Sequence, residues 1–255
     1  MRQAHGIAYT MTGPEGAPVL ILSNSLGTTL DMWGPQLQAL THSYRVVRYD
    51  PRGHGASSVT PGSCTLDRLG RDVLDLLDAL DVERAHFCGI SMGGLTGQWL
   101  GVHASERIEK LIIANTAARI GASQGWRERA ALVRARGMTD VAAGAAERWF
   151  TAGFVARQPG TVQRMTDSLR ALAAEGYAGC CDALSEADLR DEIGRISVPT
   201  LVIAGRYDPV TTVEDARFIV ERIGHAQCVT LDASHLSNIE APQAFNAAAL
   251  AFLAS

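Results

Sequence analysis

The sequence predicts an α/β protein: a mostly parallel sheet flanked by helices, with an inserted helical cap. Three observations carry that expectation. Short apolar runs alternate with amphipathic helical patterns in both the first and last parts of the chain. The stretch from 116 to 195 lacks strand runs and is rich in Ala, Arg and Glu punctuated by Gly. The 255 residues, 47% hydrophobic and 20% charged, suffice for one large core.

In chain order, the expected strands are Val19-Leu20-Ile21-Leu22, Tyr44-Arg45-Val46-Val47, Ala85-His86-Phe87-Cys88 and Leu111-Ile112-Ile113-Ala114. After the break come Leu201-Val202-Ile203-Ala204 and Cys228-Val229-Thr230-Leu231. Between the second and third lies a helix with Leu66, Leu69, Val73, Leu76, Leu77 and Leu80 on one face. Asp67, Arg68, Arg71, Asp75 and Asp78 fall largely on the other, as 3.6-residue periodicity requires. The organisation that follows is a core of residues 1–115 and 196–255 with a cap of residues 116–195.

The run Gly89-Ile90-Ser91-Met92-Gly93-Gly94 matches G-x-S-x-G between an apolar strand and a helix. There a serine sits on a sharp turn with its hydroxyl exposed at the carboxyl edge of the sheet. Gly89 and Gly93 lack the Cβ atoms that would collide where strand and helix approach. A serine nucleophile needs a base, and the base needs an acid to orient it. Asp208 and His235 each follow an apolar strand, so their loops reach the same edge. Asp232 and Asp215 are alternative acids, but Asp232 stands only three residues before His235. Among the other histidines, His86 falls inside a strand, His103 at a helix end, and His54 in the turn Asp50-Pro51-Arg52-Gly53-His54-Gly55. The oxyanion hole needs two N–H groups. Met92 supplies one, and Leu26, in Asn24-Ser25-Leu26-Gly27-Thr28, is the candidate for the other.

Together these motifs resemble the α/β-hydrolase superfamily, and the resemblance spans nearly the whole chain. Many relatives carry His-Gly in the oxyanion loop, where this chain has Asn24-Ser25. Ser23-Asn24-Ser25-Leu26-Gly27-Thr28-Thr29 with Met32-Trp33, and Gly89–Gly94 running into Gly97-Gln98, are similar to the 3-oxoadipate enol-lactonases of aromatic catabolism. That resemblance implies a small lactone bearing a carboxymethyl group, opened by Ser91, His235 and Asp208 without a metal or organic cofactor. Some members add a decarboxylase domain; here the hydrolase alone is expected.

The implied substrate carboxylate needs a cationic partner. Lys110 is the only lysine, so an arginine is expected. Arg129 is the candidate, with Trp126 three residues away on the same helix face and Trp149 as a further wall. A general carboxylesterase or cofactor-free perhydrolase would share the triad and differ in the cap. A small-molecule receptor that retains a hydrolase pocket belongs to another class. Dehalogenases and epoxide hydrolases of this fold use an aspartate nucleophile, against which Ser91 argues.

A formal net charge of −4 argues against nucleic-acid binding. Met1–Gly6 shows no apolar signal core, and no apolar run reaches membrane-spanning length. Five cysteines without metal-ligand spacing fit a reduced, cytoplasmic protein. The expected partner is therefore a small carboxylated lactone, with no nucleic acid, membrane or metal. The oligomeric state is left open.

Overall fold

A computed structural model describes residues 1–60, 62 and 64–255. The chain opens with β1 (Arg2–Ala4), β2 (Ile7–Thr12), β3 (Val19–Ser23), α1 (Gly34–Leu40) and β4 (Arg45–Tyr49). Next come α2 (Leu66–Ala79), β5 (Ala85–Ile90), α3 (Met92–His103) and β6 (Ile108–Ala114). A run of helices follows: α4 (Ser123–Arg136), α5 (Thr139–Ala143), α6 (Ala145–Trp149), α7 (Ala152–Arg157), α8 (Pro159–Arg170) and α9 (Ala174–Glu186). The chain closes with β7 (Thr200–Gly205), α10 (Val213–Arg222), β8 (Gln227–Leu231), α11 (Ser237–Glu240) and α12 (Pro242–Ala254).

Among the described residues the strands form one sheet, ordered β1-β2-β4-β3-β5-β6-β7-β8. β1 and β2 pair antiparallel, as do β2 and β4; every later pairing is parallel. The six expected strands are present, with the second shifted to Arg45–Tyr49. The N-terminal hairpin is an addition, because β1 is short, largely exposed and without an apolar run.

Hydrophobicity explains the layering. β5 is buried at every residue, as a central strand covered on both faces must be. α3 is buried from Met92 to Val102, so its apolar residues need not keep to one face. α2 by contrast keeps its apolar stripe inward, and Thr65 caps it by accepting the Arg68 N–H.

Register brings the strand ends into line. Ser23 pairs with Gly89, Ile90 with Ala114, Ala114 with Ile203, and Gly205 with Leu231. The loops after β3, β5, β6, β7 and β8 therefore open on one edge. Helices α4 to α9 lie within the expected cap stretch, with α4 packed along α9. Gly27 lies against Leu169 of α8, and Gly53 lies against Gly176 of α9. The cap thus rests on the loops of that edge.

A buried turn after β4 fixes the loop after β3. Asp50 accepts the N–H of Leu30 at 2.7 Å and that of Ala56 at 3.0 Å. His54 Nε2 accepts the Gly27 N–H at 3.0 Å, while Nδ1 lies 3.2 Å from Arg52 O. This pattern requires a neutral ring with its proton on Nδ1. Burial pushes the His54 pKa down from 6.5 to about 4, although the Arg52 carbonyl opposes the shift. The depressed value means that folding favours the neutral ring. Its contribution is complete above pH 6.5 and is lost as pH falls through about 4. Wild-type unfolding free energy should therefore fall across that window by on the order of 3 kcal/mol. In His54→Gln the slope should flatten. Denaturant unfolding at stepped pH measures both, and equal slopes would refute this role.

Candidate active site

Ser91 occupies the turn between β5 and α3 with φ of 56° and ψ of −115°. A non-glycine residue there is strained and must be held by its surroundings. Its N–H donates to Ala114 O at 3.0 Å, and its carbonyl accepts the Thr116 hydroxyl at 2.8 Å. A Cβ at Gly89 would come within 2.2 Å of Gly93 O, and one at Gly93 within 2.3 Å of Ser23 O. The two glycines thus permit both the turn and the close approach of α3 to the end of β3. The serine is buried, with its residue 5% exposed.

His235 follows β8, and its Nδ1 lies 2.8 Å from Asp208 Oδ2. The same oxygen accepts the Asn115 amide at 2.9 Å and the Thr211 hydroxyl at 2.8 Å. Oδ1 accepts the N–H groups of Val210 at 2.8 Å and Thr211 at 3.1 Å. Burial alone would raise the Asp208 pKa. The His235 charge and the hydrogen bonds from His235, Asn115 and Thr211 outweigh burial and hold it below its ordinary value. Asp208 is therefore a buried carboxylate whose oxygens are fully used. Of the alternative acids, Asp232 pairs with Arg206 on the surface and Asp215 caps α10.

Asn115, at the end of β6, has no motif to announce it. It sits at φ of 44°, fully buried. Its amide also donates to Ser234 O at 3.1 Å, and its oxygen accepts the Ser237 hydroxyl at 2.5 Å. One side chain thus joins Asp208 to both sides of the His235 loop.

The loop after β3 is similarly anchored. Asn24 O accepts the Gly93 N–H at 3.0 Å, and Asn24 Oδ1 accepts the Trp33 indole N–H at 3.0 Å. That second bond gives the Asn24 side chain a structural use. Gly27 takes φ of 82°. Neither the Leu26 N–H nor the Met92 N–H has a partner among the described residues. Met92 is the first residue of α3, where helical N–H groups lack intrahelical acceptors.

Ser91 and His235 share a narrow cleft of about 40 Å³ between core and cap. They line it together without a hydrogen bond between them, a separation common in unliganded sites. The core also contributes Ser25 and Leu26, while the cap contributes Trp126, Arg129, Arg148, Trp149 and Tyr177. The three cap residues expected from sequence all face this cleft. Arg148 and Tyr177 are additions: Arg148 sits on a five-residue helix, and no spacing connects it to Arg129.

No carboxylate lines the cleft among the described residues. The Arg129 guanidinium stacks 4.8 Å from the Trp126 ring, and Arg148 donates to Val141 O at 2.7 Å. Burial, then the like charge of Arg129, push the Arg148 pKa below its ordinary range. Burial raises the Tyr177 phenol to about 12. Both arginines also border an outer hollow of about 300 Å³, so they stand between it and Ser91. A larger hollow of about 420 Å³ lies beside Thr28, Met32 and Met165 and has neither Ser91 nor His235 on its wall. Among the described residues no helix is long and apolar enough to cross a membrane.

Comparison with known proteins agrees with this geometry. The alpha/beta hydrolase fold family matches residues 18–242. The chain is 54% identical to 3-oxoadipate enol-lactonase 2 of Acinetobacter baylyi, covering 93% of this chain and 89% of the relative. It is 49% identical to 3-oxoadipate enol-lactonase 1 of the same organism, covering 96% and 91%. The crystal structure of the enol-lactonase from Burkholderia xenovorans superposes with a TM-score of 0.97 at 44% identity, covering 99% of this chain and 98% of that one. The chain therefore belongs to the α/β-hydrolase family and, within it, to the group these enol-lactonases form.

Proposed function

We propose that this protein is a serine hydrolase that opens 3-oxoadipate enol-lactone to 3-oxoadipate, a cytoplasmic step in the breakdown of aromatic compounds. One observation carries the reading beyond family membership: Ser91 and His235 share a cleft with two arginines and no carboxylate. A neutral ester offers such a cleft nothing to neutralise. A lactone with a free carboxylate offers the matching charge.

In this reading Ser91 Oγ attacks the lactone carbonyl while His235 Nε2 takes its proton. Nε2 is available because Nδ1 is engaged by Asp208. The Leu26 and Met92 N–H groups receive the developing oxyanion. Collapse breaks the ring C–O bond and expels an enolate, which takes the imidazolium proton and becomes the ketone. Water then gives a proton to His235 and attacks the acyl-serine. The second tetrahedral species collapses, His235 returns that proton to the departing Ser91 Oγ, and the product acid is released and ionises to the carboxylate. Asp208 stays ionised and orients the imidazole throughout. Arg129 and Arg148 hold the substrate's carboxylate, with Trp126 and Trp149 as walls of the lactone site.

Two measurements test this reading. Loss of enol-lactone absorbance should be rapid with wild type and fall by about 10³-fold or more in Ser91→Ala. Wild-type inactivity on the lactone, with brisk hydrolysis of a neutral nitrophenyl ester, would instead identify a general carboxylesterase. In Arg129→Ala and Arg148→Ala, KM for the lactone should rise by about tenfold or more, the scale of a lost charged hydrogen bond. Their KM for the neutral ester should stay constant. An unchanged lactone KM in both variants would remove the arginines from substrate binding.

A further inference from the structure

Outside the Ser91, Asp208 and His235 set, one carboxylate ties the cap to the loop that carries His235. Glu240 ends α11 and is half-buried. Its Oε2 accepts the Ser234 N–H at 2.9 Å and the Thr151 N–H at 3.3 Å, while Oε1 pairs with the Thr151 hydroxyl. A second bond crosses the same boundary: Leu236 N–H donates to Trp149 O at 3.0 Å.

Ser234 and Leu236 are the chain neighbours of His235. Both of their N–H groups are therefore fastened to the cap segment 149–151, one through Glu240 and one directly. Trp149 lines the cleft, and Arg148, immediately before it, does too. The imidazole is consequently held from two sides. Asp208, supported by Asn115 and Thr211, fixes Nδ1 from the core. The cap fixes the backbone from which the ring projects.

We propose that Glu240 is a positioning residue that makes His235 and the cleft-lining cap segment one mechanical unit, so that the base is in place only when the cap is seated. The proposal rests on reading His235 as the general base. Its physical basis is that backbone N–H bonds to an ionised carboxylate are stronger than neutral ones. The loop between β8 and α11 is irregular and has no strand or helix ladder at Ser234 and His235 to hold it. A displacement of about 1 Å at a reacting group costs on the order of 10²-fold in rate. A substrate anion that pairs with Arg148 at the cleft wall would also steady the segment holding the base.

The test compares wild type with Glu240→Ala, Glu240→Gln, Thr151→Val and the double variant Glu240→Ala/Thr151→Val. Active sites are counted by titration with a nitrophenyl phosphonate, which phosphonylates the reactive serine and releases one nitrophenolate per site. Per titrated site, kcat of Glu240→Ala should fall about 10- to 100-fold with KM and melting temperature nearly unchanged. Glu240→Gln should recover most of the rate. Its amide oxygen can keep the two N–H groups while its NH₂ donates to the Thr151 hydroxyl. Thr151→Val also removes the cap that accepts the Phe154 N–H at the start of α7, a loss read in melting temperature. In kcat per titrated site it should cost less than Glu240→Ala and add nothing to it.

An unchanged kcat per titrated site in Glu240→Ala, or a loss seen only in titratable fraction and melting temperature, would overturn the proposal. So would a Gln variant as slow as Ala, or additive losses in the double variant. The assays are run on both the enol-lactone and a neutral nitrophenyl ester. A wild type inactive on the lactone would sink the substrate reading, and the ester series would still decide the role of Glu240.

Discussion

The site depends on the backbone turn at Ser91. A serine at φ of 56° is held there by Ala114 O on one side and the Thr116 hydroxyl on the other. Both partners sit at or just beyond the end of β6, so the strained turn is secured by the neighbouring strand rather than by its own helix. The close approach of Gly89 to Gly93, and of Gly93 to Ser23, locks β3, β5 and α3 into one arrangement. Strand register then puts the other loops at the same edge. Strain at one residue is offset by packing spread over three strands and a helix.

Charge at this edge is divided between core and cap. On the core side, five donors surround Asp208, so its negative charge is fully committed and directed at His235. On the cap side, Arg129 and Arg148 face the cleft with no acidic residue on its wall among the described residues. Burial lowers the Arg148 pKa, and the like charge of Arg129 beside it acts in the same direction. A bound anion offsets the repulsion and supplies a partner for the buried charge. The cleft's electrostatics thus favour a negatively charged ligand before any shape is considered.

Much of this is legible in the sequence, for physical reasons. Ser91, Asp208 and His235 each follow an apolar run, and an apolar run in a parallel sheet delivers the next residue to the ligand-binding edge. Trp126 and Arg129 are legible because helical spacing puts them on one face. Arg148 is not, because its helix is too short to show a period and its tie to the cleft is tertiary. Asn115 and Glu240 carry no spacing signal at all, and the partners that give them their roles, Asp208 and Thr151, stand 93 and 89 residues away in sequence. The hairpin of β1 and β2 escapes for a different reason: β1 is polar and largely exposed, so it lacks the apolar run that marks a buried strand.

These features together make one claim: the core supplies a serine that can attack many esters, and the cap's charge decides which ones. The most direct measurement removes the charge from the substrate and leaves the enzyme intact. The kcat/KM for the carboxylated enol-lactone should be compared with that for its methyl ester, which has the same ring and no charge. Loss of one charged hydrogen-bonded contact predicts a preference of about 10- to 100-fold for the free acid, weakening as salt is added. Equal kcat/KM for the two lactones at low salt would contradict the account.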